Sequence, residues 1–117
     1  DKINENFIRC SFFELVSRYL SSCYTFAIEQ NNSEGRADFE MTGIPGTDYY
    51  TDDRVVEFKY YRSKDADRML ALTEPLAEHV EQVKGYAEDT KKKFPNYNVR
   101  SYVVYICANK GWKCWEV

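Results

Sequence analysis

The stretch Arg54-Val55-Val56-Glu57-Phe58-Lys59-Tyr60-Tyr61 constrains the fold more than any other. Residues two apart on a strand point to the same side. Val55, Val56 and Phe58 mark this strand as buried, and Glu57 and Lys59 share one face while Val56 and Phe58 take the other. A carboxylate and an ammonium set among buried apolar residues are costly unless paired or used. Glu57 is therefore not an idle surface charge. Residues 35–41, Gly35-Arg36-Ala37-Asp38-Phe39-Glu40-Met41, offer a second strand that brings another carboxylate. The plainest reading of Asp38, Glu57 and Lys59 is a cross-strand ion pair, because a lone Glu-x-Lys is common.

The rest of the chain supplies the layers around that strand. Residues 4–21 read as a helix, with Glu5, Ile8, Phe12, Leu15, Val16 and Tyr19 at three- and four-residue steps on one apolar face. Glu5 falls on that face; Glu14 falls on another, beside Arg18. Ser21-Ser22 ends the helix, residues 23–29 alternate as a strand, 31–35 form a turn, and 37–42 form the second strand. Residues 43–48 suit a wide hairpin connection to the third strand, at about 54–61. A charged stretch, 63–68, precedes helical periodicity at Met69, Leu72, Leu76, Val80, Val83 and Ala87. The main helix is expected over about 74–93, with Pro75 in its first turn and Thr73 or Glu74 as its cap. Residues 94–98 break it, 99–107 form an apolar strand, and 112–117 a final strand that Trp112 and Trp115 pack. The first three strands form a meander. A strand that follows a long crossover helix lies parallel to its neighbour. The expectation is an α/β fold in three layers, a mixed sheet flanked by helices.

Length and composition bound the rest. A chain of 117 residues is one domain, and 44% hydrophobic residues with 16% aromatics are enough for a core. No apolar run approaches a membrane span. The polar start Asp1-Lys2-Ile3-Asn4-Glu5 shows no signal peptide, so a cytoplasmic location is expected. The missing initiator Met leads us to expect a piece of a longer protein. Cys10, Cys23, Cys107 and Cys114 form no C-x2-C pair, and one His cannot complete a usual zinc set. Reduced, mostly buried thiols are expected. A net charge of −3 counts against strong autonomous DNA affinity. Basic residues do cluster locally, at Arg62, Lys64 and Arg68 and at Lys91-Lys92-Lys93, the latter suited to a helix C-terminus.

Two carboxylates converging at a sheet edge can hold a hard divalent cation, and a lysine two residues on can orient water or neutralise charge at a phosphate. Gln82 and Tyr86, four apart, share a helix face. The series Gly35-Arg36-x-Asp38, Val55-Val56-Glu57-Phe58-Lys59 and Gln82-x-x-x-Tyr86 resembles the PD-(D/E)XK nuclease superfamily, in its Q-x-x-x-Y branch. More narrowly, the chain is similar to a nuclease-like domain found behind an AAA-ATPase-like domain in anaerobic bacteria. The resemblance runs over nearly the whole chain, and Ala37 stands where the family name has proline.

The resemblance implies a restriction-endonuclease-like α-β-β-β-α-β core plus a C-terminal strand. It implies a Mg²⁺- or Mn²⁺-dependent nuclease, with DNA as the expected substrate and RNA also open. Asp38 and Glu57 would be metal ligands, joined by the backbone carbonyl of Phe58 and by a first-helix glutamate. For that glutamate Glu5 is the better candidate and Glu14 the fallback. Lys59 would be the catalytic lysine. Gln82 and Tyr86 would line the site and touch substrate phosphate or support the lysine, and Arg36 could reach phosphate or pair with Glu34 or Asp53. Expected partners are nucleic acid, an ATPase domain in a longer chain and a second copy of the chain, with no membrane. The alternative is a catalytically silent module for nucleic-acid or protein binding. His79, one turn before Gln82, reads as structural, and Tyr49-Tyr50 and Tyr60-Tyr61 as core or rim.

Overall fold

The computed structural model describes residues 5–28 and 39–117. Arg36, Ala37, Asp38 and the side chain of Glu5 lie outside that description. The elements run α1 (Glu5–Leu20), β1 (Tyr24–Ile28), β2 (Phe39–Gly43), β3 (Asp52–Tyr61), α2 (Ser63–Leu70), α3 (Ala77–Lys93), β4 (Asn98–Cys107) and β5 (Gly111–Glu116). The strands pair in chain order, β1-β2-β3-β4-β5, all antiparallel except β3 with β4. The crossover through α2 and α3 makes that one pair parallel, as the sequence predicts. The result is the expected mixed sheet flanked by helices.

Two cores lie on opposite faces of the sheet. On one, Phe12 and Val16 of α1 meet Phe39, Met41, Val56 and Phe58, with the Phe12 ring edge-on to Phe39 at 4.9 Å. On the other, Ala66 and Met69 of α2 and Val83 and Ala87 of α3 meet Val55, Val99, Val103 and Tyr105. Each large apolar side chain so buried stabilises the fold by about 1.5–3 kcal/mol. β3 serves both cores, which is why it carries apolar residues on both faces.

Several expectations change. The buried stripe of α1 is Phe12, Phe13, Val16 and Leu20, while Leu15 and Tyr19 are exposed; the helix is rotated away from the face they would share. The charged stretch 63–68 is the start of a helix, α2. Asp65 near its N-terminus and Arg68 near its C-terminus suit the dipole, and Ala66 and Met69, three apart, are its core contacts. The long helix starts at Ala77 with an extended Leu76 as its N-cap, so Pro75 precedes it and neither Thr73 nor Glu74 caps it. The Leu76 N–H is drawn off to Tyr105 Oη, 2.9 Å away. At the other end Pro95 biases Phe94 away from helical dihedrals (φ −132°, ψ 75°) and stops α3. Among the described residues no disulfide joins the four cysteines, but only Cys107 is buried; Cys10 and Cys114 are exposed and Cys23 is intermediate. Trp115 packs on the core, whereas Trp112, one face over, is exposed.

The β2–β3 loop folds tightly over the end of β2. A Cβ on Gly43 would lie 1.5 Å from the Tyr49 carbonyl oxygen, so glycine is required by that approach. Among the described residues no helix is long and apolar enough to cross a membrane.

Candidate functional site

The alternation of β3 sends Asp53, Val55, Glu57, Lys59 and Tyr61 toward α2 and α3, because Val55 and Tyr61 pack in that core while Val56 and Phe58 pack under α1. The parallel register sets Glu57 beside Val103 and Lys59 beside Tyr105. Glu57 is fully buried, and its Oε2 lies 3.3 Å from Lys59 Nζ. Taking a carboxylate and an ammonium out of water costs several kcal/mol per ion before their attraction offsets it. Hydrophobic residues of similar volume would serve stability as well, which makes the pair a candidate for chemistry.

A second polar group shares the face. The β2–β3 register sets Glu40 opposite Val55 and Thr42 opposite Asp53. Asp53 is 1% exposed, and its Oδ1 meets no hydrogen-bond partner among the described residues. Its carboxyl is hydrogen-bonded to Glu40. Burial first, then that hydrogen bond and the Glu40 and Asp52 charges, push Asp53 up to about 8, so it holds a proton at neutral pH. Tyr86 of α3 donates to Glu40 Oε1. Burial and the same carboxylate push the Tyr86 phenol up. Tyr86 thus reaches this face, but its hydroxyl goes to Glu40. Gln82, one turn earlier, is exposed.

Tyr105 holds the other end of α3. Its hydroxyl accepts from the Leu76 N–H at 2.9 Å and is hydrogen-bonded to Tyr61, and burial, outweighing these bonds, pushes the Tyr105 phenol up. Tyr105 Oη is also hydrogen-bonded to His79 Nδ1 at 2.5 Å. His79 Nε2 lies 3.8 Å from Glu78 Oε1. It is buried against the Tyr105 ring, with 5.4 Å between centroids, in the structural role expected for it.

Glu14 lies on the exposed side of α1 and forms an ion pair with Arg18 at 2.8 Å. Glu5, the other first-helix candidate, has its side chain outside the described residues. The sequence did not single out Glu40 or Asp53. Asp52-Asp53 looks like a solvated turn before the strand, and only the parity of Asp53 with Val55 and Glu57 hints at burial. Among the described residues no group of three or more His, Cys, Asp or Glu side chains is arranged to hold a metal ion; the set expected from the sequence includes Asp38.

Comparison with curated proteins and with solved structures gave no match. A family model described as the PD-(D/E)XK nuclease superfamily matches residues 3–116. With the mixed sheet in place and a buried Glu57 paired to Lys59 on its central strand, the chain belongs to the PD-(D/E)XK nuclease superfamily.

Proposed function

We propose that this protein is a divalent-metal-dependent nuclease that hydrolyses phosphodiester bonds in DNA. Membership of the superfamily implies a nuclease, and the observation that carries the finer reading is the fully buried Glu57 beside Lys59 on the face toward α3. Asp38, Glu57, the Phe58 carbonyl and Glu5 would supply hard oxygen donors, which suit Mg²⁺ or Mn²⁺. Such a cation, when bound, polarises a phosphate oxygen and lowers the pKa of bound water. Lys59 brings positive charge to the oxygens of the phosphate under attack, where negative charge develops. The exposure of Gln82 on α3 supports contact with substrate phosphate, and Arg36 is assigned a second such contact on its sequence position alone. Tyr86, engaged by Glu40, positions the helix rather than the lysine.

Cleavage of plasmid or single-stranded DNA by the purified chain should require Mg²⁺ or Mn²⁺ and stop with chelator. Lys59→Ala should lose at least about 100-fold in rate, the scale of a lost transition-state charge partner. Equal cleavage by wild type and Lys59→Ala would mark the activity as a contaminant and sink the assignment. Calorimetry should show divalent-metal binding that Asp38→Asn weakens.

A further inference from the structure

At the C-terminal end of α3 a row of aromatic rings stays at the surface. Phe94 stacks on Tyr97 with centroids 4.8 Å apart and planes 23° from parallel. Tyr97 meets Tyr50 of the β2–β3 loop edge-on at 6.1 Å. Phe94 and Tyr50 are each 46% exposed. Lys91, Lys92 and Lys93 immediately precede Phe94 and are exposed. Lys91 bridges to Glu88 at 3.3 Å, while Lys92 and Lys93 make no ion pair among the described residues. Helix dipole and solubility account for the lysines alone. They do not account for three aromatic rings in series beside them, drawn from two segments far apart in the chain.

Stacking rings beside a short run of cations match unpaired bases strung on phosphates, because every base has a π-face but offers it only when unstacked from a duplex. Tyr86, on the Glu57 face, lies eight residues before Phe94, about 12 Å along the helix axis. We propose that this surface binds a single-stranded flank of the nucleic acid, with bases on Tyr50, Tyr97 and Phe94 and phosphates on the three lysines. The proposal rests on the reading of the protein as a nucleic-acid hydrolase and names the form of substrate that reading leaves open. Asp89, exposed on the turn before the lysines, keeps the attraction moderate.

The test measures binding apart from cleavage. Fluorescence anisotropy of a labelled oligothymidylate and of a hairpin duplex would be followed with the Lys59→Ala chain in chelator. Single-strand binding should weaken about tenfold in Phe94→Ala and in Tyr50→Ala, with the salt dependence unchanged. The triple change of Lys91, Lys92 and Lys93 to Gln should lower the slope of log K against log salt by about 2. Duplex binding should change far less in every variant. Thermal melts check folding; where Phe94→Ala does not fold, Phe94→Leu keeps the apolar contact and removes the π-face. Unchanged single-strand binding across the variants overturns the surface, as does an equal loss on the duplex or capture of a protein partner in place of the oligonucleotide. These results are separate from catalysis: a chain that binds through this surface yet cleaves nothing supports the surface and overturns the nuclease reading.

Discussion

Asp53→Asn should make the protein more stable at neutral pH. Asp53 is 1% exposed and is pushed from 3.8 up to about 8, chiefly by burial and then by Glu40. A carboxyl whose pKa rises on folding keeps its proton in the folded chain after the unfolded chain has released it. Its contribution is complete below 3.8 and declines as the pH rises through about 8. Between those limits the folded chain holds one more proton than the unfolded chain, so this group lowers stability by about 1.4 kcal/mol per pH unit. At pH 7 the cost has reached about 4 kcal/mol. Water reaching half-buried Glu40 screens its share of the effect, which leaves about 2–4 kcal/mol. Asparagine reproduces the protonated acid: its amide donates to Glu40 and it has no proton to lose. Urea unfolding of wild type and Asp53→Asn at a series of pH values, read as midpoint and m-value, measures the difference. Titrating groups other than Glu40, whose titration is tied to that of Asp53 by their hydrogen bond, are common to both chains and cancel in it. The expected result is equal stability near pH 4 and a gap that widens in favour of the variant up to about pH 8. A variant less stable than wild type at pH 7, or two parallel pH curves, would refute the shared proton.

Tyr105→Phe should cost about 1–3 kcal/mol, because the Leu76 N–H, the Tyr61 hydroxyl and His79 Nδ1 lose their common partner inside the core. Thermal unfolding checks it, and a melting temperature equal to wild type would show that the hydroxyl does not hold the start of α3. Gly43→Ala should cost more than about 3 kcal/mol, since a Cβ 1.5 Å from the Tyr49 carbonyl oxygen forces the β2–β3 loop off β2. Limited proteolysis within residues 44–51 should rise in parallel, and unchanged resistance there would contradict the close approach.

The elements that could be read without the structure were those with a long, regular period. β3 declares itself by Val55, Val56 and Phe58, β4 by the apolar run from Tyr102 to Cys107, and α3 by Val83 and Ala87 on one stripe with Lys91–Lys93 and Pro95 marking its end. α2 escaped because an eight-residue helix with two core positions looks like a charged connection. The orientation of α1 escaped because Phe12, Leu15, Val16 and Tyr19 admit two neighbouring stripes. Packing against Phe39 and Phe58 selects the one through Phe13 and Leu20.

The sequence by itself determined which residues of β3 share a face, since strand alternation is a local property with a period of two. It also determined that β4 follows a crossover and so runs parallel to β3. That was enough to set Glu57 beside Lys59 in a buried strand of a mixed sheet. Only the tertiary structure decided what else meets them. Glu40 faces Asp53, Tyr86 donates to Glu40, and Tyr105 gathers Leu76, His79 and Tyr61, through contacts between residues 13 to 46 positions apart. Such contacts depend on strand register and on where a helix docks, both set by the fit of the whole core, and no local period encodes them.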